Sequence, residues 1–160
     1  MTAFETSVPV RLTPTSRVLD READLPPHGT TIHFGAHGGV AEHYGMTPAE
    51  PLPSTIDYLV ASVGGCLIGT FAGSLLRARL PLDRAGLTGV ATGTVSSSDE
   101  DNVLVLRRID LRYTLAMAQE HRAAAEEVHA AHASRCPNAR SVAGGIEVVT
   151  HLEMVEPVAA

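Results

Sequence analysis

Between Tyr58 and Leu76 the chain carries no charged side chain, and that stretch constrains the fold more than any other. A run of this length either crosses a bilayer or passes through the middle of a globular fold. Its content argues against crossing. Ser62, Gly64, Gly65, Gly69, Thr70, Gly73 and Ser74 interrupt it, and no second run accompanies it. The reading is a buried central helix, apolar on nearly every side until Arg77. Ser54 caps its start, and Asp57 three residues later completes a capping box with Asp in place of Glu. That carboxylate also suits the positive end of the helix dipole. Pro81 prevents continuation, so the helix is predicted to end near Arg79. Gly64 and Gly65 inside it cost on the order of 1 kcal/mol each. Such glycines usually let another backbone come close.

The flanking sequence supplies strands and shorter helices. Ser7 to Thr13 and Ser16 to Arg21 have weak strand character, and Thr30 to Phe34 alternates as a strand should. Pro26-Pro27-His28-Gly29 and Gly38-Gly39 read as turns, and Thr47 to Pro53, with three prolines, as a loop. Leu87 to Ser97 and Val103 to Leu115 are predicted to form a hairpin around the polar turn 98–102. In its second strand Ile109, Leu111, Tyr113 and Leu115 share one face, and Arg108, Asp110, Arg112 and Thr114 the other, solvated one. A helix from Met117 to Ala133 follows, then a short helix from Pro137 to Ala143 and a last strand from Ile146 to Val155. This order predicts an α+β fold with helices packed on an antiparallel sheet, in a single domain over residues 1–160.

Composition narrows function. With 44% hydrophobic and 19% charged residues the chain reads as an ordinary soluble globular protein. Aromatics make up 4%, Trp is absent, net charge is -6 and no basic run occurs, so neither a nucleic-acid nor a membrane partner is expected. The chain holds no Lys, which excludes Schiff-base chemistry. Met1 to Leu12 lacks a basic segment followed by an apolar core, so we expect no signal peptide and a cytoplasmic location.

Two cysteines are too few for a structural disulfide framework. Cys136 stands where a helix begins, just before a Pro suited to the first helical position. The dipole and free N–H groups there stabilise a thiolate, and Arg140, one turn on, could add positive charge. Cys66 lies in mid-helix among apolar residues, where burial alone would make it inert. The two are 70 positions apart, so only the fold can join them. Bland readings stand beside these: Asp57 as a helix cap only, Arg140 as a surface residue, Cys66 as a core residue. His129, His132 and Cys136 have a spacing that zinc sites use. Yet Cys136 falls past the helix end. His28, His33, His37 and His43 have no ligand spacing and read as a His-rich surface.

Two stretches carry a resemblance. The run from Pro53 through Asp57, Leu59, Ala61, Gly64 and Gly65 to Cys66 resembles the central helix of the OsmC/Ohr family, the osmotically inducible and organic-hydroperoxide-resistance proteins. Cys136-Pro137-Asn138-Ala139-Arg140-Ser141-Val142 resembles that family's second cysteine motif. The hairpin and last strand match in order, so the resemblance covers about residues 30–155. It implies antiparallel sheets wrapped around long central helices in an intertwined homodimer. It also implies a thiol peroxidase for organic hydroperoxides, and for hydrogen peroxide as a further substrate. Cys66 would be the peroxidatic and Cys136 the resolving cysteine, joined by a disulfide after each turnover. An external dithiol, a lipoyl group among them, would restore the pair, with no metal or bound organic cofactor. The family's hydroperoxide reductases carry a Glu ten residues before the cysteine, which holds an Arg against the thiolate. Here Ile56 stands at that place and Asp57 is nine before. The matching Arg would come from Arg11, Arg17 or Arg21, with Arg17 or Arg21 favoured. This departure keeps an alternative open: an OsmC-like small-molecule-binding or stress protein with the fold and little or no peroxidase activity.

Overall fold

A computed structural model of the chain describes residues 4–13, 20–83, 86–97 and 100–157. They fall into two compact units, Met1–Tyr58 and Leu59–Ala160.

The first unit holds an antiparallel sheet of β1 (Val10–Leu12), β2 (Arg21–Leu25) and β3 (Thr30–Phe34). Register places Leu12, Arg21 and Phe34 side by side, then Val10, Ala23 and Ile32. These residues share one face, with Ala23 buried at its centre. The other face is charged: Arg11 pairs with Glu22 at 2.7 Å and with Asp24, and Thr31 donates to Asp24 at 2.8 Å. Those acids hid β2 from pattern reading. The strand expected over Ser16 to Arg21 begins only at Arg21, and 16–19 lie outside the described residues. The expected turn at Pro26 to Gly29 is present, with Gly29 at φ 68. The Gly38-Gly39 turn is corrected to a short helix, α1 (Gly38–His43). Gly38 at φ 48 supplies the bend, and the residues after it continue helically. Gly35 is needed where it stands, because a Cβ there would lie 2.8 Å from the Leu52 Cβ. Its N–H donates to the Pro53 carbonyl at 2.9 Å, which ties β3 to the loop before the long helix.

That helix, α2 (Thr55–Arg77), starts in the first unit and runs into the second. It closes in a Schellman motif. Leu80 N–H donates to the Leu75 carbonyl at 3.1 Å and Arg79 adopts φ 59, two residues short of the expected end. In the second unit β4 (Leu87–Ser97) and β5 (Leu104–Ala116) form the expected antiparallel hairpin. Ile109, Leu111, Tyr113 and Leu115 are all buried, as their alternation predicts. On the opposite face Arg108 binds both Asp110 and Glu147. α2 lies across β4 because β4 is bare there. Val60, Gly64 and Ile68, four residues apart, meet Gly93, Ala91 and Gly89 respectively. A Cβ on Gly64 would come within 2.9 Å of the Ala91 Cβ. This is the close approach expected of the glycine pair, made by Gly64 alone.

The chain then passes through a turn at Gln119–His121, α3 (Arg122–His132), a second turn at Ala133–Arg135 and α4 (Pro137–Val142) into β6 (Glu147–Val155). β6 pairs with β5 in parallel, which corrects the all-antiparallel expectation. A helical crossover carries the chain back to the starting end of β5, so the returning strand runs the same way. A second correction concerns α2. It is not buried all round: Val63, Gly64, Leu67, Phe71, Ser74 and Leu75 form one buried stripe, while Leu59, Gly65, Gly69 and Leu76 are exposed. By length and hydropathy α2 meets the measure of a membrane-crossing helix, though a core helix meets it too.

Candidate active site

α2 sets the first cysteine. Cys66 follows the Gly64 seat, so its backbone is pinned to β4, and its side chain remains partly exposed. Thr70, one turn on, donates its hydroxyl to the Cys66 carbonyl at 2.8 Å. The second cysteine comes from the crossover. Cys136 is the N-cap of α4, with Pro137 in the first helical turn. Its N–H closes the preceding turn on the Ala133 carbonyl at 3.1 Å, and its carbonyl accepts from Arg140 N–H at 3.0 Å. Asn138 then reaches across and donates to the Ser62 carbonyl at 2.9 Å, fastening α4 to α2 one turn before Cys66.

The two thiols are therefore brought near one another. Cys136 is fully buried, and the Cys66 thiol, the Thr70 hydroxyl and the Ala139 backbone lie near enough to its thiol to bear on its protonation. Both sulfurs are free thiols here. Burial dominates the Cys136 thiol and holds its pKa above the ordinary value, with Cys66 adding to the rise against the Ala139 N–H. The helix N-terminus is thus outweighed, which corrects the expectation of a stabilised thiolate at Cys136. Arg140 is exposed.

Around the pair stands an aromatic cluster that the sequence did not announce. Phe71 packs against Tyr113 and His132, with ring centroids 5.0 Å away in each case. Tyr113 Oη lies 2.8 Å from His132 Nε2, and His132 Nδ1 lies 2.6 Å from the His129 carbonyl. Both nitrogens of His132 are thus engaged. Among the described residues no three His, Cys, Asp or Glu side chains converge as metal ligands, so the zinc spacing of His129, His132 and Cys136 does not become a site. A cleft of ≈ 390 Å³ opens between α2 and α3 beside Ser74, Val128 and Arg135, and neither cysteine lines it.

The remaining expected residues belong to the first unit. Asp57 completes the capping box. It accepts from Ser54 N–H at 2.6 Å, and its own N–H donates to the Ser54 hydroxyl at 3.3 Å. The Ser54 hydroxyl and His37 Nε2 also reach the carboxylate, at 2.6 and 2.8 Å. Burial works against the charge, yet the bonds from Ser54 and His37 bring the Asp57 pKa below its ordinary value. Among the described residues the ring that bonds Asp57 from outside the capping box is His37, and no Arg does so. His37 was read as surface, because nothing in its spacing marks it. Arg11 is held by Glu22 and Asp24. Arg17 lies outside the described residues. Arg21 sits on the apolar sheet face between Leu12 and Phe34, and its buried Nε has no hydrogen-bond partner.

The family model for OsmC-like protein matches residues 48–151, most of the chain. No curated protein matches the sequence. Solved structures do match. An OsmC-like protein of unknown function from Vibrio cholerae gives a TM-score of 0.74 at 18% identity, covering 94% of this chain and 100% of that one. An OsmC-like protein from Mycoplasma pneumoniae gives 0.71 at 14% identity, covering 96% and 99%. An organic hydroperoxide resistance protein from Elizabethkingia anophelis gives 0.70 at 15% identity, covering 97% and 100%. The fold is α+β, with two small sheets and a long central helix, and the chain belongs to the OsmC-like protein family.

Proposed function

We propose that this chain is a thiol-dependent peroxidase that reduces organic hydroperoxides, and hydrogen peroxide as a further substrate, through Cys66 and Cys136. One observation carries the reading: two free thiols 70 positions apart are brought near enough for one to bear on the other's protonation, one of them partly exposed and the other fully buried. The exposed thiol suits attack on a substrate, and the buried one suits attack on its neighbour. The Cys66 thiolate attacks the peroxide O–O bond, the alcohol leaves with a proton, and Cys66 becomes a sulfenic acid. Cys136 attacks that sulfur, water leaves, and a disulfide forms. An external dithiol, a lipoyl group being one, reduces the disulfide by exchange and is itself oxidised. Membership of a family that includes organic hydroperoxide resistance proteins supports this chemistry.

Of the arginines that the sequence offers to activate Cys66, we keep Arg21, whose buried Nε has no hydrogen-bond partner, ahead of Arg11, which Glu22 and Asp24 hold. Asp57 caps the start of α2 through Ser54 and is bonded by His37. We place the chain in the cytoplasm, as one functional domain over residues 1–160. We also propose a homodimer, intertwined as the resemblance implies, because α2 leaves Leu59 beside its buried stripe and Leu76 on the far face both exposed.

The second reading, an OsmC-like binding or stress protein without efficient peroxidase activity, is favoured by Asp57 holding His37 and Ser54 in place of an Arg. Mixing reduced protein with cumene hydroperoxide and following thiol loss separates the two. Loss of both thiols with matching peroxide consumption supports the enzyme. Peroxide consumption unchanged in Cys66→Ser sinks it.

A further inference from the structure

We propose that Tyr113 and His132 are positioning residues for the second thiol, a buried hydrogen-bonded pair that fixes the turn bearing Cys136 so that its sulfur meets Cys66. The inference rests on the reading of Cys136 as the resolving cysteine. His132 is fully buried, which an imidazole seldom is without a partner. The His129 carbonyl can only accept, so His132 Nδ1 carries the proton that fills the 2.6 Å contact. Nε2 is then a bare acceptor, and the Tyr113 hydroxyl 2.8 Å away donates to it. Each group satisfies the other, and burial keeps both uncharged by lowering His132 and raising Tyr113.

The pair is mechanically joined to both cysteines. Phe71, five residues after Cys66 on α2, packs on both rings at 5.0 Å. His132 is the last residue of α3, and only the turn Ala133–Arg135 separates it from Cys136. That turn is closed by the Cys136 N–H, so it has little slack. The direction in which His132 is held therefore sets where Cys136 arrives. Asn138 holds the far side of the same cysteine. An apolar side chain at position 132 would fill the space equally well. The polar pair adds one specified orientation, since an unpartnered buried nitrogen is costly and the observed rotamer satisfies both nitrogens of His132.

Orientation matters to the step. The Cys136 sulfur bonds to the Cys66 sulfur as the S–O bond of the sulfenic acid breaks, and the departing hydroxide leaves as water with the thiol proton. A misplacement of about 1 Å in such an attack costs on the order of a hundredfold in rate.

The test uses a chromogenic aryl disulfide, dithiobis-nitrobenzoate, so that it does not depend on peroxide. Attack by Cys66 releases one aryl thiolate, and attack by Cys136 on the mixed disulfide releases a second. In Tyr113→Phe the first release should keep its rate while the second slows by about tenfold or more. His132→Phe should do the same, and His132→Gln, which keeps an acceptor for Tyr113, should recover part of the second rate. A structural role alone would lower the melting temperature without separating the two releases. If His132→Phe does not fold, Tyr113→Phe decides by itself. A second release at the wild-type rate in Tyr113→Phe overturns the proposal, as does a wild-type protein that gives only the first. If both releases occur in wild type while hydroperoxide leaves its thiols untouched, the peroxidase reading fails and this inference stands.

Discussion

Cys66 rides in the middle of a 23-residue helix, partly open, its backbone seated on β4 through Gly64. Cys136 stands at the mouth of a six-residue helix, fully buried, carried by a turn and held from both sides. The first is anchored by one long rigid element, and its chemistry depends on what reaches it from outside. The second is held by many short contacts, and its chemistry depends on those contacts being correct. Burial pushes its thiol pKa up, so it is a poor nucleophile toward solvent and useful only where a partner sulfur is already within reach. The contrast suits the roles proposed above, in which the open thiol meets the substrate and the closed one meets the first.

The sharpest way to break this contrast is to remove one sulfur at a time. Cys66→Ser should abolish hydroperoxide reduction altogether, measured by peroxide loss in the presence of dithiol. Cys136→Ser should keep the first turnover at the wild-type rate and lose disulfide formation, so a sulfenic-acid trap such as dimedone labels it strongly. Equal loss in both variants would erase the distinction between the two sites.

A smaller effect concerns the cluster that holds Cys136. Burial, chiefly, lowers the pKa of His129 and His132 from an ordinary 6.5. Below that pH the unfolded chain binds protons that the folded chain refuses, so stability should fall as pH drops below about 6.5. Urea midpoints measured across mildly acidic pH would show it, and His132→Phe should flatten the dependence. No acid sensitivity in wild type would mean that the cluster opens to water.

The smallest changes sharpen the Cys66 side. Asn138→Ala should cost about 1 kcal/mol in urea unfolding, the worth of one hydrogen bond between α4 and α2. Gly64→Ala should destabilise by about 1 kcal/mol or more, because the clash with Ala91 exceeds the gain in helix propensity. Gly65→Ala, which meets nothing within 4 Å, should be neutral or stabilising by about 0.5 kcal/mol. Equal effects at the two glycines would contradict the seat on β4.

Much of this was legible in the sequence where one physical signal dominated. The start of α2 followed from Ser54 and Asp57, and the faces of β5 followed from strict alternation. β2 was not legible, since Glu22 and Asp24 on its charged face mask the small apolar face around Ala23. The parallel pairing of β6 was not legible either, because strand propensity carries no direction. Both thiols were marked by their motifs, but their meeting depends on contacts as distant as Asn138 to Ser62 and Tyr113 to His132. Thr70 could have been named from its place one turn after Cys66. His37 could not, because only the folded loop brings it to Asp57.

Cys66 and Cys136 of one chain are expected to form a working pair. Reduced protein should be treated with one equivalent of cumene hydroperoxide, digested without reductant and mapped by mass spectrometry. One dominant cross-linked species is expected, the Cys66 and Cys136 peptides joined by a disulfide within a single chain. Peptides with both thiols intact, Cys66 driven to sulfinic acid with Cys136 unchanged, or a disulfide only between chains would contradict it.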